Sequence, residues 1–228
     1  MSAFFDFLYD NEGKVGWRMN QDAKEKLKET LYREMMAYDA GDPARIQHFV
    51  KVHSFAQAIG KAENLEEEVQ FILECAALVH DIGIKPAEAK YGKSDGKFQE
   101  QEGPAEAEKM MRVLGFEEAV IERVSYLVGH HHTYTNINGM DYQILVEADF
   151  LVNYFENGSS ADTIQKSVEK IFKTKPEKKW QKRCFSQNRQ IYLYQKLGRR
   201  MLFRIWKISL KNREFIFVSK KLCNYSMM

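Results

Sequence analysis

The fold is decided by Val69-Gln70-Phe71-Ile72-Leu73-Glu74-Cys75-Ala76-Ala77-Leu78-Val79-His80-Asp81-Ile82-Gly83. Val69, Ile72, Leu73, Ala76, Ala77 and Val79 recur at helical spacing, and the second half is almost continuously apolar, the pattern of a buried central helix. Asn64, three residues before Glu67, resembles a capping box that opens it. The helix ends at His80-Asp81-Ile82-Gly83, where the last carbonyls lack partners and the negative end of the dipole favours a cation. An imidazole and a carboxylate therefore stand where positive charge is welcome.

The flanking segments repeat the helical period. Upstream, residues 21 to 39 form a mostly solvated helix with Asn20 as N-cap and Gly41 past its end. Asp42-Pro43 then starts a second helix whose broad apolar face runs from Ile46 to Ile59 and which ends at Gly60. His48 and His53 ride on it; His53, five residues and about 140° further round, is expected at the core edge or surface. Downstream, residues 84 to 98 hold Pro86, Gly92 and Gly96 and read as a long loop, a length more often functional than accidental. Helices are expected over 104 to 114, with Pro104 at the start, from Glu117 to Gly129, over 141 to 156 after an Asn138-Gly139 turn, and over 161 to 172. No strand alternation competes, so the fold class is all-α.

Charges inside apolar helices are the informative residues, because an isolated buried carboxylate is too costly to keep unless it is paired or bound to metal. Asp81 and Asp149 meet that description. Two imidazoles and two carboxylates suit Mn, Fe, Co, Ni or Zn and leave positions open for water and substrate, a catalytic type of site.

Arg45-Ile46-Gln47-His48, Ala76 to Gly83 and Glu147-Ala148-Asp149 together resemble the H…HD…D signature of the HD superfamily of metal-dependent phosphohydrolases, over about residues 42 to 156. The resemblance implies an all-α HD-domain helical bundle over residues 1 to 172. It implies His48, His80, Asp81 and Asp149 as ligands of one divalent ion (Mn, Fe, Co, Ni, Zn or Mg). Asp81 would bridge metal and nucleophile. Lys85, just past HDIG, would reach a phosphate oxygen, although it sits one place later than the lysine of the common HDIGK form. His130, His131 and His132 open a loop where relatives bind substrate or a second metal; His131 is preferred for a catalytic role. Two-metal relatives carry a histidine where Gln99 stands here, so one ion is expected and a second is left open, with Glu100 or Glu102 as substitute ligands. The implied reaction is hydrolysis of a phosphate ester of a small metabolite, a nucleotide first. A di-iron oxygenase and a non-catalytic metal- or ligand-binding regulatory module are the alternatives.

Composition sets the remaining bounds. Residues 1 to 172 hold 18 Lys and Arg against 30 Asp and Glu, a balance of −12, whereas residues 173 to 228 hold 16 against 2, or +14. No nucleic-acid partner is expected beyond unspecific attraction to that basic tail. Cys75, Cys184 and Cys223 lack metal or redox spacing and read as free thiols. No apolar run approaches the roughly 18 residues of a membrane span, and the acidic start has no basic n-region, so a cytoplasmic location is expected. The tail, rich in both aromatics and bases, is read either as disordered or as a frame-shifted read-through. Residues 176 to 185 can be encoded so that a neighbouring frame gives Gly-Lys-Glu-Met-Ala-Lys-Glu-Met-Phe, a good amphipathic helix. The coding DNA tests that reading.

Overall fold

The computed structural model describes residues 5–9 and 15–174. The basic tail beyond Thr174, with its disordered and frame-shifted readings, and Cys184 and Cys223, lie outside the described residues. Among the described residues, eight helices follow a two-stranded antiparallel hairpin: β1 Phe5–Tyr9, β2 Val15–Met19, α1 Gln21–Tyr38, α2 Pro43–Ala62, α3 Glu67–Val79, α4 Ile84–Tyr91, α5 Gly96–Leu114, α6 Glu118–Val128, α7 Met140–Glu156 and α8 Ala161–Ile171. The fold is an all-α bundle, and the hairpin, in register Phe7 opposite Trp17, is an addition that the sequence reading missed. Among the described residues no helix is long and apolar enough to cross a membrane.

Helix starts follow their caps. The Asn20 side chain accepts the Ala23 amide at 3.0 Å, and the Asp42 side chain accepts the Arg45 amide at 3.1 Å. Each satisfies a donor that the first turn leaves free. Asn64 is not a cap: it takes a left-handed φ of 56°, and Glu66 precedes α3 without a side-chain cap bond. Gly60 does not end α2, which continues to Ala62.

Two further expectations are corrected. The segment 84 to 98 is mostly helical, because Pro86 lies in the first turn of α4, where its missing N–H costs nothing, and Gly92 at φ 70° closes the helix. Pro104 does not open α5; it sits inside a helix that begins at Gly96.

α3 lies at the centre and packs on α1, α2, α6 and α7. Leu73 and Cys75 to Val79 are fully buried along it. Glycine then lets the HDIG turn approach α5. A Cβ on Gly83 would lie 2.4 Å from the Gln99 carbonyl oxygen and 2.9 Å from Gly103 Cα. That approach brings α5 against the histidine loop after α6.

α7 is fixed at both ends. Arg123 of α6 holds Asp141 through two bonds of 2.7 Å. Deeper in α7, Glu147 is fully buried and accepts the amides of Lys173 and Thr174 at 2.5 and 3.2 Å and the Thr174 hydroxyl at 2.6 Å. Two residues on from Glu147 stands Asp149.

Candidate metal centre

Four side chains from three elements converge on one point. His48 comes from the middle of α2, His80 and Asp81 from the end of α3, and Asp149 from the middle of α7. His48 Nε2 lies 3.2 Å from His80 Nε2, 3.1 Å from Asp149 Oδ1 and 3.4 Å from Asp81 Oδ2. His80 Nε2 lies 3.5 Å from Asp81 Oδ2 and 3.6 Å from Asp149 Oδ1. Ligand bonds of about 2.0–2.2 Å put neighbouring donors roughly 3.0–3.6 Å apart at octahedral or tetrahedral angles, so each of these spacings fits an edge of a coordination shell. His48, His80 and Asp81 have donor atoms all within 4.8 Å of one another, and Asp149 joins them through the two histidines.

Tautomers sharpen this fit. His80 Nδ1 donates to the Ala77 carbonyl at 3.0 Å, and His48 Nδ1 donates to Glu156 Oε2 at 2.8 Å. With both protons on Nδ1, the two Nε2 atoms face each other as lone pairs. Two acceptors 3.2 Å apart need a positive charge between them. Without an ion, a second proton on His48 supplies that charge. Burial works against the His48 imidazolium, but the bond to Asp149 and the charges of Asp81 and Asp149 outweigh it and raise its pKa to about 9. Burial would also raise both aspartates, yet the surrounding imidazoles hold Asp81 and Asp149 well below the usual carboxylate range.

The histidine triplet divides. His131 is fully buried; its Nδ1 donates to the Val128 carbonyl at 2.8 Å, while its Nε2 makes no hydrogen bond among the described residues and lies 3.4 Å from Asp81 Oδ1. His132 Nε2 meets Gln99 Oε1 at 3.2 Å, and burial together with His131 lowers its pKa to about 4, leaving it neutral near pH 7. Asp81, His131 and His132 offer donor atoms within 4.8 Å of one another, a second set able to hold an ion. Glu100 does not join it: its carboxylate accepts the His132 amide and the Thr133 hydroxyl, both at 3.0 Å, and so holds the loop. Glu102 is engaged with Lys90 and Tyr91.

Two expected site residues point elsewhere. His130 turns to Tyr126, donating to its carbonyl at 2.7 Å and stacking on its ring. Lys85 donates to the Tyr38 carbonyl, faces Asp39 at 3.5 Å and lies over the Tyr38 ring, because α4 starts at Ile84 and aims this side chain at the end of α1. Neither is brought to the cluster.

A cavity of about 310 Å³ opens onto the cluster and is lined by Asp39, Arg45, His48, Asp81, His132 and Glu156 among others. Sequence reasoning missed Asn153 and Glu156. Asn153 donates to Asp149 Oδ1 at 2.8 Å from one turn along α7. The signal was there in the spacing, since positions four and seven after Asp149 share its helix face.

An HD domain model matches residues 45–182, more than half of the chain. The chain belongs to the HD domain family. His48, the His80-Asp81 pair and Asp149 all lie within the matched residues. Among solved structures, the chain is similar to a "predicted HD superfamily hydrolase" from an uncultured Thermotogales bacterium, at 24% identity and TM-score 0.49 over 78% of this chain and 91% of that one. It is also similar to Bacillus subtilis YpgQ, at 15% identity and TM-score 0.47 over 83% of this chain and 97% of that one. No curated protein matches.

Proposed function

We propose that this HD domain is a metal-dependent phosphohydrolase that cleaves a phosphate ester of a small metabolite, nucleotides being the first class to test. One observation carries the reading: the paired Nε2 lone pairs of His48 and His80 meet two carboxylates on the wall of an open cavity. Two neutral imidazoles and two carboxylates contribute a charge of −2, which a divalent ion neutralises. When bound, such an ion lowers the pKa of water towards about 7 and neutralises phosphoryl oxygens.

The chain supplies the rest. Asp81 directs Oδ2 to His48 and His80, and its Oδ1 is left to orient the attacking water and accept its proton. His131 Nε2, 3.4 Å from that oxygen, is placed to hold the proton next and to pass it to the alkoxide released as the P–O ester bond breaks. Burial opposes the charged form of His131, but Asp81 outweighs it and raises the pKa, so the ring can carry that charge. Arg45 lines the cavity, and the guanidinium N–H groups that it does not spend on Glu88 and Asp42 can donate to phosphate oxygens. The nucleotide preference rests on the likeness to the HD superfamily.

The second donor set, Asp81 with His131 and His132, favours one further reading, a di-iron oxygenase on the same fold. Metal analysis and a phosphatase screen with added Mn²⁺, Co²⁺, Ni²⁺ or Mg²⁺ separate the two. The expected result is phosphate release that drops to background in Asp81→Ala. Activity indifferent to that substitution sinks the mechanism, two irons per chain with oxygen uptake favour the oxygenase, and a chain that binds no metal favours a non-catalytic module.

A further inference from the structure

The three buried histidines of the cluster differ in what holds Nδ1. His80 and His131 stand at helix ends, where carbonyls three residues back have no amide partner, and each ring uses one: Ala77 for His80, Val128 for His131. His48 has no such option. It lies inside α2, where the carbonyls one turn back are already taken by the helix's own amides. An acceptor must come from another element, and α7 provides it: Glu156 Oε2 lies 2.8 Å from His48 Nδ1. The other carboxylate oxygen, Oε1, accepts Lys51 Nζ at 2.5 Å, and Lys51 sits one turn past His48 on α2.

One helix thus grips both nitrogens of the ring. Asp149 faces Nε2 and Glu156, seven residues later on the same face of α7, faces Nδ1. We propose that Glu156, held in place by Lys51, is a positioning residue that fixes the tautomer and orientation of His48 and strengthens it as a metal ligand. A carboxylate behind a ligating imidazole raises its basicity more than a neutral carbonyl does. Lys51 cancels the added negative charge, so the strengthening does not repel an anionic substrate from the cavity that Glu156 lines. The inference rests on reading His48 as a ligand.

The test is calorimetric titration of Mn²⁺ into EDTA-stripped full-length chain, for wild type, Glu156→Ala, Glu156→Gln and His48→Ala, with thermal melts of each metal-free protein. Glu156→Ala is expected to weaken Mn²⁺ about 10- to 100-fold, and Glu156→Gln, which keeps shape and an acceptor but loses charge, about three- to tenfold. The graded order separates positioning from mere folding. Wild-type affinity in a folded Glu156→Ala, alongside weakened His48→Ala, overturns the positioning role alone. Wild-type affinity in His48→Ala overturns the ligand reading beneath it. Should Glu156→Ala not fold, Glu156→Gln decides, and affinity equal to wild type overturns the proposal.

Discussion

Replacing Gly83 by alanine puts the close approach of the HDIG turn to α5 under direct strain. The new Cβ would stand 2.4 Å from the Gln99 carbonyl oxygen, 2.8 Å from Gly103 N and 2.9 Å from Gly103 Cα. Non-bonded heavy atoms settle at about 3.5 Å, so roughly 1 Å has to be found. Every opposing atom is backbone, and no side chain can rotate away. Overpacking costs about 1–3 kcal/mol, and the rigid surroundings place this case at the upper end. At about 2–4 °C per kcal/mol for a chain of this size, the melting temperature should fall by roughly 6–12 °C. Gly103→Ala is the control: its Cβ meets Val128 Cγ1 at 2.6 Å, a side-chain atom that can turn, so its loss should be about half as large. Because α5 also carries Glu100, which holds the His132 amide and the Thr133 hydroxyl, Gly83→Ala should weaken Mn²⁺ binding as well. Calorimetric melts of the metal-free variants make the measurement. Gly83→Ala melting within about 2 °C of wild type, or above Gly103→Ala, refutes the argument.

Other outcomes follow from the same geometry. Glu74 is buried; burial would raise its pKa, but His53 at 3.7 Å and bonds to Lys28 and Gln70 outweigh it and hold the carboxyl below the usual 4.5. Its stabilisation is therefore present above about pH 4.5 and is lost as pH falls further. Glu74→Gln should cost about 3 kcal/mol in urea melts at pH 7, with a gap to wild type that narrows below pH 4; a gap constant across pH contradicts this. Saturating Mn²⁺, at about 100 times its dissociation constant, should add about 2.7 kcal/mol of stability, and EDTA should remove it; an unchanged melt argues against a folded-state site. Burial pushes the Cys75 thiol far above its ordinary pKa, so native protein should leave this cysteine unlabelled by a thiol reagent in peptide mass spectrometry, while urea exposes it. Rapid native labelling of Cys75 would show that α3 opens.

The centre was legible because burying charge is expensive. His80-Asp81 at the end of an apolar helix and Asp149 within another stand out against their neighbours, and the structure brings them together with His48. Glu156 was invisible for the converse reason: it ends α7 beside the exposed Phe155 and reads as an ordinary solvated last turn. Lys85 and His130 face away from the cluster: chain proximity to HDIG and to His131 says nothing of direction, which α4 and the Tyr126 ring decide. Proline and glycine misled the boundaries. Pro86 and Gly92 read as breakers although they sit at the permitted start and end of a short helix, and α5 continues through Pro104 where its backbone is pressed against Gly83.

The inversion from acidic to basic composition falls at residue 173, which invites cutting the gene there. Glu147 makes that a poor place to cut. Its enclosed carboxylate takes three of its donors from Lys173 and Thr174. A protein ending at Phe172 strands an anion in the bundle two residues from Asp149, a defect of about 3–5 kcal/mol where a buried charge loses its partner. Any shortened version should retain Thr174, so that the first two residues of the foreign-looking segment stay as the keystone of the helix that bears Asp149.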